Sequence, residues 1–353
     1  MAASEWTVRG IIRRMLPVLV VLTAIELGSG IVLDTFEGTL LRYPTLLVLV
    51  PVTIGMAGNL GSILAARLST ALHLGLLSFD AADDRLVGNA VATIALAVTV
   101  YWSEDIEQPI TPSPSVEAVY RKIENLPEGS AVFIATDFDP QSRAELVPIT
   151  RAVLNHCFQQ DLKVLGMTFW PQGGPLGNRL FRSVAAKYDK QSGEDFVYFG
   201  YKPGAMAQVI TNMGEDLTSA FPQDANNQPT ANMPILQDIE NLRDVDYMLD
   251  MAAGETAEPW IVYGADKYGF PMAAGCTAVV APNLYVFMNT GQLNGIIAGL
   301  RGAADYEVLL GQPARGVQGM PAQSTVHGII ILFVIMGNAI YFWRRTRRGG
   351  RRP

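Results

Sequence analysis

The stretch AVFIATDFDPQSRAELVPITRAVLNHCFQQDLKVLGMTF, residues 131–169, decides the fold class of the central part of the chain. Ala131–Thr136 is a short apolar run, too short for a helix, and predicts a buried strand. Ser142–Gln160 places Leu146, Ile149, Val153, Leu154 and Cys157 at helical spacing. Lys163–Phe169 is again short and apolar. Strand, helix and strand in that order make a crossover unit, and repeated units build a mostly parallel sheet covered on both faces. The pattern continues outward. Ser115–Asn125 predicts a short amphipathic helix before the unit. After it come a helix over Leu176–Tyr188, a strand over Phe196–Phe199 and a helix near Ala205–Ile210. Tyr247–Met251, Trp260–Tyr263 and Thr277–Ala281 are further strand candidates, and Gln292–Leu310 reads as helical. Pro222, Asn226, Asn227, Pro229 and Pro234 make residues 220–235 a long surface loop.

In an open parallel sheet, ligands bind beyond the carboxyl ends of the strands. The segments leaving the predicted strands are Thr136–Pro140, Trp170–Gly174, Gly200–Gly204 and Ala253–Thr256. They offer Asp137, Asp139, Trp170, Gln172, Lys202 and Glu255 as a ligand face suited to a polar small molecule or a cation. Asp137 and Asp139 are two apart, so at a strand end they point the same way and can hold a metal or act as an acid–base pair. The alternative is a turn or a helix N-cap. An Asp-x-Asp after a strand also opens the haloacid-dehalogenase-like phosphatases, but their flanking motifs are not evident. Lys202 reads first as a surface charge, and Gly173, Gly174 and Gly204 as turn glycines. His156 reads as structural. The two cysteines, Cys157 and Cys276, read as buried thiols, with a disulfide as the alternative. No metal-spaced His/Cys cluster, phosphate-cradling glycine motif or nucleophile elbow occurs, so no enzyme is assigned.

The ends of the chain differ from its middle. Mean hydropathy is +0.22 and 17% of residues are charged, which fits a mixed membrane and soluble chain. Leu16–Leu33, Thr45–Ala66, Leu86–Trp102 and Val326–Trp343 are apolar enough to read as spans. Arg9, Arg13 and Arg14 precede the first, and Arg344, Arg345, Arg347, Arg348, Arg351 and Arg352 follow the last. Positive flanks favour the cytoplasmic side, and four spans return the chain to the side where it began. The expectation is a multi-pass cell-membrane protein with both termini cytoplasmic. Its domains are 1–102 (transmembrane), 103–325 (extracytoplasmic α/β) and 326–353 (anchor and basic tail). Residues 103–325 carry 26 Asp and Glu against 14 Lys and Arg. That acidic balance argues against a nucleic-acid partner.

Two features of the spans are costly in lipid. Glu26 is an acid inside the first span. The second carries Ile54-Gly-Met-Ala-Gly58-Asn59-Leu-Gly-Ser62, where Gly permits close helix approach and Asn and Ser offer oxygens to a neighbouring helix or a cation. Glu26, Gly58, Asn59 and Ser62 are therefore the candidate cation path, with Glu26 and Asn59 as candidate metal ligands. Tight helix packing is the alternative.

The run Pro51–Gly75, with its Gly58-Asn-Leu-Gly-Ser62 core, and the preceding Glu26-Leu-Gly-Ser-Gly30 resemble the membrane domain of the MgtE family of divalent-cation transporters, over residues 10–97. The resemblance implies Mg²⁺ or another divalent cation as the transported or bound ion, and a homodimer formed through the membrane region in a lipid bilayer. It stops near the third helix. Family members carry about five helices per membrane unit, and a later helix supplies an acidic ligand that has no counterpart in Val326–Trp343. Residues 98–343 resemble a second family, of membrane-anchored bacterial and archaeal proteins without an assigned activity, through Ala131–Pro140, His156–Gly174, Phe199–Gly204, Gly269–Ala281 and Gly299–Tyr306. The expectation is a protein related to divalent-cation transport that carries an α/β domain. The alternative is a membrane-anchored ligand-binding or scaffold protein with no transport of its own.

Overall fold

A computed structural model describes residues 109–349; in its last helix the side chains are described as far as Met336, except those of Phe333 and Val334. The predicted spans 16–33, 45–66 and 86–102, and with them Glu26, Gly58, Asn59 and Ser62, lie outside the described residues.

The chain first forms α1 (Pro114–Glu124), β1 (Ala131–Ala135), α2 (Arg143–Gln159), β2 (Lys163–Thr168), α3 (Gly173–Ala185) and β3 (Phe196–Tyr201). Two short helices follow, α4 (Met206–Met213) and α5 (Leu217–Ala220), and then β4 (Tyr247–Ala252). Next come α6 (Ala257–Pro259), a π-helical stretch Trp260–Ala265, α7 (Asp266–Tyr268), β5 (Met272–Cys276) and α8 (Ala281–Asn289). The last elements are β6 (Ile296–Ala298), α9 (Gly299–Leu309) and α10 (Arg315–Gly349). The strands make one sheet in the order β3-β2-β1-β4-β5-β6, and every pairing is parallel.

Every residue of β1 is buried, as a central parallel strand requires when both faces are covered. Val132 and Ile134 pack into one core with Val119 of α1, Leu146 of α2, Leu180 of α3 and Tyr306 of α9. Phe133 and Ala135 pack into the other with Ile210 of α4, Trp260 and Leu284 of α8. The alternation along one strand sends neighbours to opposite faces, so the sheet is the middle of three layers.

The sequence expectations fail in three places. Trp260–Tyr263 is π-helical rather than a strand: it belongs to the crossover from β4 to β5, and Trp260 is fully buried there. Thr277–Ala281 is a turn and the start of α8, while the strand is the preceding Met272–Cys276. Its small residues carry little strand signal, but the packing demands them: a Cβ on Gly275 would lie 2.5 Å from Met251 Sδ and 2.9 Å from Ile149 Cγ2. Within Gln292–Leu310 the helix begins only at Gly299, after β6. The predicted loop 220–235 also buries Phe221, Thr230 and Ile235 in the core.

Cys157 and Cys276 are free and buried, and burial pushes the Cys276 thiol up to about 12. The predicted last span, Val326–Trp343, lies inside the 35-residue α10. Among the described residues no helix is long and apolar enough to cross a membrane. Of the predicted span, the side chains of Phe333, Val334 and residues 337–343 are outside that description, while Ile330, Ile331, Leu332, Ile335 and Met336 are exposed.

Candidate functional site

The strand order reverses between β1 and β4: the chain builds outward from β1 through β2 and β3, then from β4 through β5 and β6. In doubly wound sheets the crevice beyond such a switch point is where ligands bind. Asp137 lies two residues past the end of β1 there, and Asp250 lies in β4 in register with Ala135.

Both carboxyls are fully buried. Asp137 Oδ1 accepts the Phe169 backbone N–H at 2.6 Å and the Thr168 hydroxyl at 3.1 Å, and Oδ2 accepts the Trp260 indole N–H at 3.4 Å. Asp250 Oδ2 accepts the Thr256 hydroxyl at 2.8 Å. Asp250 Oδ1 is buried without a hydrogen-bond partner, and the Asp137 carboxyl is the neighbouring charge that acts on it. Two neighbouring buried carboxyls disfavour double ionisation. Burial pushes Asp137 up to about 6 against the pull of its donors. Burial and the neighbouring Asp137 charge push Asp250 well above the carboxylate range.

Above the pair, the Trp170 indole approaches Gly254, where a Cβ would lie 3.2 Å from Trp170 Cζ2. The segment after β2 thus crosses β1 to meet the segment after β4. Asp139 turns away from Asp137: its Oδ1 accepts the Gln141 and Ser142 N–H groups at 3.0 and 3.1 Å and the Ser142 hydroxyl at 3.2 Å, capping a 3-10 turn. Among the described residues no three His, Cys, Asp or Glu side chains gather as a metal site. Gln172 and Glu255 are exposed on the same edge of the sheet. Lys202 donates to the Ala220 carbonyl and sits 5.1 Å over the Phe221 ring, tying the end of β3 to α5.

Gly173, read from the sequence as a turn glycine, lies in α3 and serves packing, as does Gly177. A Cβ on Gly173 would lie 2.7 Å from the Thr136 carbonyl oxygen, and one on Gly177 2.2 Å from Tyr198 Oη, so they let α3 press onto the sheet. Beyond the end of β3 opens a cavity of about 650 Å³, lined by Gly174, Asn178, Tyr201, Lys202, Asp224 and Asn227 among others. Asn178 donates to Asn226 Oδ1 at 3.0 Å and keeps a buried Oδ1 without a partner. The sheet edge therefore combines a closed acid pair at the switch point with an open polar cavity beside it. Asp250, Thr168, Thr256 and Trp260 were not among the residues singled out from the sequence. The one signal for Asp250 is an acid inside an otherwise apolar strand, which burial leaves needing a partner.

Residues 50–103 match the sequence model of the MgtE family, divalent cation transporters. Neither a curated protein nor a solved structure matches the chain.

Proposed function

We propose that this chain is a membrane protein related to divalent-cation transport, and that its α/β domain binds a small polar ligand at the carboxyl edge of the sheet. The observation that carries the first part is the match of residues 50–103 to a divalent cation transporter family. The matched stretch holds Gly58, Asn59 and Ser62, and with Glu26 these form the cation path in this reading. Mg²⁺ is its cargo and the path is completed by a second copy of the chain. Residues 1–102 and 326–353 lie in or beside the membrane with both termini cytoplasmic, and residues 103–325 face the other side. The basic ends, the acidic middle and the exposed apolar side chains of α10 support this arrangement.

The test is Mg²⁺-dependent growth of a transporter-deficient cell. Wild type restores growth and Glu26→Gln does not; no rescue by either protein removes the transport reading.

A second reading, a ligand-binding or scaffold protein whose helices only anchor it, is favoured by the small share of the chain that the match covers. Thermal-shift screening separates the two. Stabilisation by a metabolite in a chain that does not restore growth selects the second reading.

A further inference from the structure

One helix holds both connections of the α/β domain. α9 follows β6 without a linker, so its N-terminus sits at the carboxyl edge of the sheet and its C-terminus at the amino edge. The incoming chain runs along it: the Arg301 guanidinium donates to the Thr111 carbonyl at 2.9 Å, and Asp305 accepts the Ser113 N–H at 3.0 Å. From Thr111 to Ser113 the path goes from the start of α9 toward its end, so the described segment begins on the side of the carboxyl edge.

The outgoing chain retraces that path. A five-residue connection, Leu310–Ala314, closes an antiparallel helix pair. Glu307 accepts the N–H groups of Ala314, Gly316 and Val317, each at 2.9 Å. Gly316 then reaches Ala303 and Ala304, where a Cβ would meet backbone at 2.8 and 2.6 Å. α10 thus climbs from the end of α9 toward its start and carries its exposed Ile330, Ile331, Leu332, Ile335 and Met336 onward past the carboxyl edge.

That edge also carries the domain's exposed large apolar side chains. Tyr201 ends β3, and Val279, 85% exposed, lies in the turn after β5. Val262, Tyr263, Tyr285 and Val286, the others outside α10 among the described residues, fall in the first two turns of the helical segments that leave β4 and β5.

We infer that the carboxyl edge of the sheet, with its acid pair and polar cavity, is turned toward a lipid bilayer, with Val279 and Tyr201 at headgroup level. The inference rests on the reading that α10 continues into that bilayer. Tyrosine ring and hydroxyl suit the interface, and short apolar side chains bury there at small cost. Any ligand of the edge then approaches along the membrane surface.

The experiment uses the full chain in phosphatidylcholine vesicles, with one cysteine introduced per variant and labelled with a fluorophore; Cys157 and Cys276 are buried and do not compete. The variants are Val279→Cys at the carboxyl edge, Glu128→Cys in the exposed loop at the amino edge, and Ile331→Cys on α10. Lipids with a quencher in the headgroup or in the acyl chain report depth. The expected result is acyl-chain quenching at Ile331, and headgroup quenching at Val279 several-fold above that at Glu128. Equal quenching at Val279 and Glu128, with Ile331 still quenched from the acyl chain, overturns the orientation and leaves the anchor standing. No lipid quenching at Ile331 overturns both.

Discussion

Asp250 neighbours Asp137 across the β1–β4 pairing, and its buried Oδ1 has no hydrogen-bond partner. Burial of the two neighbouring carboxyls favours their protonated forms, and that makes stability depend on pH. An Asp in the unfolded chain titrates near 3.9. In the folded protein Asp137 is raised to about 6 and Asp250 well above the carboxylate range, both first by burial. The native state therefore holds more protons than the unfolded state from about pH 4 upward. The pair's contribution is complete below pH 4 and is lost as pH rises, with one proton's share gone by about pH 6.

Asp250→Asn keeps a hydrogen-bond donor toward Asp137 and removes one titrating group. The expected outcome is a flatter fall of stability between pH 4 and 8, by up to about 1.4 kcal/mol per pH unit. Thermal unfolding followed by tryptophan fluorescence, with Trp260 donating to the pair, measures it. An unchanged slope means that Asp250 does not titrate above its unfolded value.

Asp250→Ala behaves in the opposite way. It leaves Asp137 buried with its backbone and side-chain donors but without its acid partner, and it leaves a cavity. A loss of about 2–4 kcal/mol at neutral pH is expected. The Asn variant retains most of that stability, and the difference between the two isolates the hydrogen bond from the charge.

The glycines of α3 divide by what surrounds them. Gly177→Ala would drive a methyl against Tyr198 Oη and, at 2.5 Å, Thr136 Oγ1, breaking the 2.6 Å bond between those hydroxyls. It is expected to lower stability by roughly 2–4 kcal/mol. Gly174→Ala meets nothing closer than Tyr201 Cβ at 3.4 Å. It is expected to stay within about 0.5 kcal/mol of wild type or to gain from helix propensity. Melting temperatures of the two variants check the contrast.

The βαβ unit at residues 131–169 was legible because β1 and β2 are apolar and α2 is long enough to show its period. β5 was not, because Met272–Cys276 is built of small residues that fit under Ile149 and beside Met251, while the β-branched residues stand just after it in a turn. Trp260–Tyr263 looked like a strand because aromatic and β-branched residues suit both a sheet and a buried helix. The carboxyl edge was legible in outline, since the loops after β1 to β4 follow from the strand order. The pairing inside it was not: Asp137 looked outward to Asp139 by spacing, whereas the fold gives it Asp250 from a distant strand and leaves Asp139 to its own turn.

Glu307 sits beneath the connection into α10, and its role is separable from simple burial. It is 3% exposed and places its carboxyl on three N–H groups at the start of α10, where the helix dipole also favours a negative charge. Burial raises its pKa and the three N–H groups oppose the rise, so the anion is held by hydrogen bonds in a site that would otherwise reject it. Glu307→Gln keeps an acceptor oxygen but loses the charge and places an amide N–H₂ against donors. Glu307→Ala leaves the N–H groups without a partner. The expected order of stability is wild type, then Gln, then Ala, with the last lower by about 2–3 kcal/mol. The site of the loss distinguishes a clamp from a generic core residue. Limited proteolysis is expected to open the Leu310–Ala314 connection first in the Ala variant, with the β1–β4 sheet still protected. Cleavage spread evenly through residues 114–309 would mean that Glu307 supports the whole fold rather than the attachment of α10.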